Sequence, residues 1–125
     1  TTLFRSVVIF NNSVLGFVAL EMKAAGFIET GVDLKNPDFA AMARAMGIHG
    51  VRVEDPGELE GAIRDVLAHD GPAVLDVVTA TQELSMPPTI TLEQVKGFSL
   101  WVLRAVMSGR GDEVVDLAKT NLLPR

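Results

Sequence analysis

The sequence predicts an α/β fold, a parallel sheet with helices on both faces followed by a helical tail. Three observations carry it. Two apolar runs, Val7-Val8-Ile9-Phe10 and Ala73-Val74-Leu75-Asp76-Val77-Val78, are rich in β-branched residues, as in strands buried on both faces. Between them, Ile48 to Glu54 alternates, with Val51 and Val53 on one side and Gly50 and Arg52 on the other, as in a shorter strand. Helix-period stretches separate the three, and crossovers of that length join parallel strands by right-handed connections.

The elements follow in order. Thr1-Thr2-Leu3-Phe4-Arg5 carries no start signal, and a central strand follows almost at once. A central strand without an earlier partner, in a sheet of three, predicts a fragment cut from a larger protein. Leu15, Val18, Ala19 and Met22 predict a helix to Ala25, ended by Gly26. Phe27 to Lys35 has no period and reads as a loop able to lie over a site. Asn36-Pro37 predicts the next helix start, with Asn36 as N-cap and Pro37 in the first position. Phe39, Met42, Ala43 and Met46 would be its apolar face and Gly47 its stop. Asp55-Pro56 opens a third helix with Leu59, Ala62, Ile63, Val66 and Leu67 inward, and Glu58 stands where a capping box has its acid.

Residues 81–125 break the alternation. Met86-Pro87-Pro88 reads as a rigid linker. Thr91 caps a helix from Leu92 to about Ser108 with two stripes, Leu92, Val95, Ser99, Val102 and Val106 beside Phe98, Trp101 and Ala105. Asp112 opens a last, amphipathic helix carrying Val114, Val115, Leu117, Ala118 and Leu122, its end charges agreeing with the helix dipole. The predicted division is 1–80 for the sheet domain and 81–125 for linker and tail.

Composition excludes several classes. The 125 residues suffice for one domain, and 48% hydrophobic content argues against disorder. A net charge of −5 argues against a nucleic-acid surface. Without cysteine there is neither a disulfide framework nor a thiolate metal site, and two histidines make no zinc motif. No apolar stretch is long enough to span a bilayer, and the amino end resembles no signal peptide. An intracellular protein is the default expectation. Residues 1–80 carry six Lys/Arg against eleven Asp/Glu, whereas residues 81–125 carry five of each. The last third is therefore less repelled by an anionic membrane.

Candidate chemistry centres on Asn11-Asn12, where the first strand stops. Ligands sit at the carboxyl ends of strands in open α/β sheets, and an asparagine carbonyl is a hard donor suited to Mg²⁺ or Ca²⁺. The same pair also reads as a turn that caps the next helix. His49 and His69 read as structural or surface histidines, and Asp76 as a hydrogen-bonded structural acid. Arg110-Gly111-Asp112 matches an adhesion tripeptide by chance. No Ser/His/Asp set, phosphate-binding glycine loop or catalytic carboxylate pair stands out.

Asn11-Asn12-Ser13-Val14-Leu15-Gly16-Phe17, followed by Glu21-Met22-Lys23, resembles the second half of the thiamine-diphosphate motif. The likeness is to the pyruvate oxidase and pyruvate:quinone dehydrogenase family. It extends through Pro87-Pro88, Lys96-Gly97-Phe98-Ser99-Leu100 and Ser108 to Glu113. The Asn-Asn element is shared with acetolactate synthases, while the tail is specific to the membrane-associated, quinone-reducing branch.

The resemblance implies a partial thiamine-diphosphate-binding, Rossmann-like sheet. It puts Asn12 and the carbonyl of Val14 on Mg²⁺, and Ser13, Leu15, Gly16, Phe17 and Val18 along the cofactor. Phe17 would sit at the active-site edge, in a catalytic role passing electrons to flavin, beside the alternative of a core aromatic. The implied parent decarboxylates pyruvate to acetate and CO₂ and passes electrons through FAD to a membrane quinone. It is a cytoplasmic homotetramer, peripheral on the inner face of the membrane, whose C-terminal helix binds lipid. Arg104, Arg110, Lys119 and Arg125 would meet the headgroups. The family's Gly-Asp-Gly occurs nowhere here, so the chain alone is not expected to bind the cofactor or catalyse. An acetolactate synthase fragment and a non-catalytic α/β binding module are the rival readings.

Overall fold

A computed structural model describes residues 5–83 and 91–122. In chain order the elements are β1 (Ser6–Asn11), α1 (Gly16–Ala24), α2 (Phe39–Ala45), β2 (His49–Val53), a 3-10 turn (Pro56–Glu58), α3 (Leu59–Ala68), β3 (Ala73–Val78), α4 (Leu92–Met107) and α5 (Gly111–Leu122). The predicted linker Met86-Pro87-Pro88 lies outside the described residues. The chain forms two compact units, each discontinuous in sequence. The first takes the described residues up to Asn12 together with Lys35–Thr79; the second takes Ser13–Leu34 and the described residues from Ala80 onward.

The first unit is the predicted parallel sheet, in the order β1-β3-β2. Ser6 pairs with Ala73 and Asn11 with Val78 on one side of β3, and His49 pairs with Ala73 on the other. The pleat sends odd and even residues of β3 to opposite faces. Leu75 and Val77 join Val53, Val66, Leu59 and Ala62 in a core against α3. On the other face, Gly50 admits α2 so closely that an added Cβ would lie 2.3 Å from the Ala40 carbonyl oxygen. Helices therefore cover both faces, as expected of this fold. Burying each large aliphatic chain of the α3 core contributes about 1.5–3 kcal/mol.

Four expectations change within this framework. The central strand is β3, not β1. Both β1 and β2 hydrogen-bond to β3, and Val7, Val8 and Phe10 remain 55%, 50% and 77% exposed. Helix α2 is capped by Asp38, whose carboxylate accepts from the Ala41 N–H, and not by Asn36. In α3, Leu59, Ala62 and Val66 pack, but Ile63 and Leu67 point outward. In α4, the packed stripe is Phe98, Trp101 and Ala105, whereas Leu92, Val95 and Val106 stay exposed. The start of α3 takes the form of a 3-10 turn in which Asp55 accepts from the Gly57 N–H.

The second unit is helical. Thr91 and Gln94 form a reciprocal capping box at the start of α4. Trp101 and Ala105 are fully buried with Leu117 of α5, flanked by Ile28, Phe98, Val102 and Val114. Helices α1 and α4 cross at glycine: a Cβ on Gly97 would lie 1.8 Å from the Ala24 carbonyl oxygen. Gly26 ends α1 at φ +81°, a conformation that side chains disfavour.

A charged cluster is buried in this unit. The Lys23 ammonium lies 2.6 Å from Glu29, donates to Gln82 at 2.9 Å and stands 5.2 Å from the Trp101 ring centre. The Trp101 indole N–H donates to Glu29 at 2.8 Å. Burial alone would raise the Glu29 carboxyl, but hydrogen bonds from Lys23, its own backbone and Trp101 hold it below its usual range.

Candidate functional site

The Asn pair sits where β1 ends. Asn11 closes the strand and is buried, and Asn12 follows half-buried outside it. The Asn11 amide N–H donates to Asp76 at 3.1 Å, and its carbonyl oxygen accepts from the Asn36 amide at 2.8 Å. Asp76, wholly buried inside β3 where it pairs with Ile9, also accepts from the Phe39 N–H at 3.3 Å and from Arg52 at 2.6 Å. The Arg52 guanidinium is held above its usual value, first by Glu54 and then by Asp76. Asp76 is thus the structural acid that the sequence suggested. Asn36 is not a cap because its side chain is spent on Asn11, a partnership 25 residues distant that only the fold creates.

Ser13 follows at φ 56°, the left-handed region. Val14 forms an isolated antiparallel bridge with Asp33. The ladder bonds run from the Leu15 N–H to the Val32 carbonyl and from the Leu34 N–H to the Ser13 carbonyl. In such a pair, the N–H and C=O of Val14 itself point away from the facing segment. Leu15 is the N-cap of α1 and supplies no side-chain cap, and the first turn holds no acid. Gly16, Phe17 and Val18 form that turn, with Phe17 74% exposed. Phe17 is therefore not a core aromatic of this chain.

These residue types suit a diphosphate and a hard cation. A helix amino end without a side-chain cap directs backbone N–H groups outward, the setting that anions prefer. Asn12 and Val14 offer a neutral amide and a carbonyl that add no negative charge beside phosphate. Among the described residues, no group of three His, Asp or Glu stands where it could hold a metal ion. His49 and His69 stack at 4.5 Å, and His49 contacts Asp65 at 2.7 Å, a packing role.

Residues 5–77 match the C-terminal TPP-binding domain of thiamine pyrophosphate enzymes, well over half of the chain. The chain belongs to this family. It is 36% identical over 115 residues to YdaP of Bacillus subtilis, described as thiamine pyrophosphate-containing, covering 92% of this chain and 20% of that protein. It is 48% identical over 44 residues to the mitochondrial acetolactate synthase catalytic subunit of Aspergillus candidus, covering 35% of this chain and 6% of that one. Benzoylformate decarboxylase of Pseudomonas aeruginosa is 38% identical over 63 residues, 47% of this chain and 12% of that protein. The chain thus spans a fifth or less of the length of these relatives. TPP-binding domains of this family are where thiamine diphosphate is held, and the Asn pair with α1 lies inside the matched range.

Proposed function

We propose that this TPP-binding domain supplies the diphosphate and Mg²⁺ side of a pyruvate:quinone oxidoreductase. The observation that carries the reading is the strand that ends in Asn11-Asn12 and leads, through left-handed Ser13, to the uncapped helix α1. Asn12 and the Val14 carbonyl would hold Mg²⁺, and the first turn of α1, with Gly16, would bind diphosphate oxygens. The bound cofactor would supply the carbanion chemistry; the chain's residues would hold and orient it. Phe17, exposed at the start of α1, is available at the edge of the site.

The pyruvate branch is preferred to acetolactate synthesis on the resemblance of the tail, Lys96-Gly97-Phe98-Ser99-Leu100 and Ser108 to Glu113, to the quinone-reducing family. The balanced reaction would take pyruvate, water and quinone to acetate, CO₂ and quinol, a two-electron oxidation for which the reading expects FAD elsewhere in the parent protein. Membrane attachment through α5 belongs to the same reading, and it now rests on exposed Val115, Leu122 and Lys119. Arg104 donates to the Gly26 carbonyl, and Arg110 is paired with Glu113 and Glu29. Arg125 lies outside the described residues. No helix among the described residues is long and apolar enough to cross a membrane.

The full-length protein, given pyruvate, thiamine diphosphate, Mg²⁺ and a quinone analogue, should form acetate with reduction of the acceptor. Acetolactate without acceptor reduction would instead assign it to synthesis. Turnover of neither kind would end the pyruvate reading.

A further inference from the structure

The buried polar group that links Asn11, at the end of β1, to Asp76, inside β3, holds no part of the cofactor itself. Asp76 is wholly buried in a strand otherwise made of apolar residues. A strand interior would be more stable with an aliphatic there unless the carboxylate has specific work, because burying a charge is costly. Its oxygens are committed to three donors from three elements: the Asn11 side chain, the Phe39 N–H at the start of α2, and Arg52 on β2. Asn11 is held from its other end by Asn36. An asparagine amide gripped at both its N–H and its carbonyl has little rotational freedom, and the residue bonded to it is Asn12.

We propose that Asp76, Asn11 and Asn36 are positioning residues that set the direction in which Asn12 leaves β1, and thereby its affinity for Mg²⁺. The inference rests on the reading that Asn12 is a Mg²⁺ ligand. Mg²⁺ demands near-ideal octahedral geometry, so a ligand misdirected by a fraction of an ångström loses affinity rather than adapting. Neighbours that orient a ligand typically change metal affinity by 10–100-fold when removed. Asp76 touches neither metal nor cofactor in this account; it acts through Asn11.

The test measures thiamine diphosphate retained by the full-length protein in equilibrium dialysis across a Mg²⁺ titration, with thermal unfolding recorded in parallel. Asp76→Asn and Asn11→Ala should each raise the Mg²⁺ needed for half-retention by about tenfold. Asn36→Ala, at an exposed position, should raise it by a smaller factor, and it carries the test should the buried variants fail to fold. The exchanged pair Asn11→Asp with Asp76→Asn reverses donor and acceptor across the 3.1 Å bond and should restore much of the loss. Val66→Ala, in the α3 core, should lower the melting temperature and leave the Mg²⁺ dependence unchanged. If the network variants lower melting as Val66→Ala does, with the Mg²⁺ dependence unmoved, the positioning role is overturned while the site reading stands. If Asn12→Ala also leaves the Mg²⁺ dependence unmoved, the site reading itself fails and takes this inference with it.

Discussion

Each unit buries charge, and the two do it differently. In the first unit, one carboxylate, Asp76, gathers neutral donors and a single arginine whose side chain is 29% exposed. In the second, an ammonium and a carboxylate, Lys23 and Glu29, are both about 6% exposed and meet at 2.6 Å under the Trp101 ring. The first arrangement joins β1, β2 and the start of α2 to β3, next to the residue proposed to hold metal. The second ties α1 and the 27–34 segment to α4, and Arg110 adds the start of α5 by reaching Glu29 at 3.8 Å. Buried polarity thus joins strands to the start of α2 in one place and locks helices in the other.

The sharpest way to break that contrast is to remove Lys23. Lys23→Met leaves the buried Glu29 with only the more distant Arg110 as counter-charge and should cost about 3 kcal/mol in urea unfolding. Adding Glu29→Gln removes the stranded charge while keeping an acceptor for Trp101, and should recover most of the loss. Strict additivity of the two substitutions would mean that they are not a pair. Next comes Gly97→Ala. Its new Cβ meets backbone of Ala24, which cannot step aside, so a loss of about 3 kcal/mol is expected. Trp101, the one tryptophan of the chain, reports it by fluorescence. A melting temperature within a degree of the parent's would show that α1 and α4 can slide apart freely.

Acid should separate the units too. The folded Glu29 carboxyl lies below its ordinary value of 4.5. Its contribution to stability is therefore complete above that value and is lost as pH falls through the lower, folded one. Trp101 fluorescence followed through an acid titration should show this loss, and Glu29→Gln should remove it. An unchanged acid profile in that variant would assign the loss to other carboxylates. The smallest effect expected is at a helix end: Asp38→Ala should cost about 1 kcal/mol, because the Ala41 N–H loses its acceptor. Equal losses in Asp38→Ala and Thr91→Ala would show that caps act alike in both units.

These differences mark where local sequence stopped being informative. Strands β2 and β3 and the starts of α3 and α4 follow from adjacent residues, through alternation, Asp55-Pro56 and the Thr91 box. Which strand is central does not, since it depends on pairings such as Asn11 with Val78, 67 positions apart in the chain. Asn36-Pro37 carries a strong helix-start signal, yet Asp38 stands nearer the first turn and takes the cap, freeing Asn36 for Asn11. On α4 both stripes are apolar, and the one containing Trp101 meets partners distant in sequence, Glu29 for the indole N–H and Leu117 for its ring. At the candidate site, the Asn pair was visible in sequence because strand ends attract ligands. The grip of Asp76 and Asn36 on Asn11 was not, because they come from β3 and from the segment before α2, 65 and 25 positions away in the chain.

The position of β1 also governs how the chain behaves in solution. Its outward edge, six residues long, carries Val7, Val8 and Phe10 well exposed, with neither lysine nor proline within the strand. Such an edge offers ready-made pairing to any other extended strand, and natural sheets usually blunt it with charge or cover. Concentrated solutions of these residues by themselves are thus expected to scatter light increasingly with time. A charge at Phe10, the most exposed of the three, would be the gentlest remedy, since it adds repulsion at the edge and leaves the core against α3 untouched.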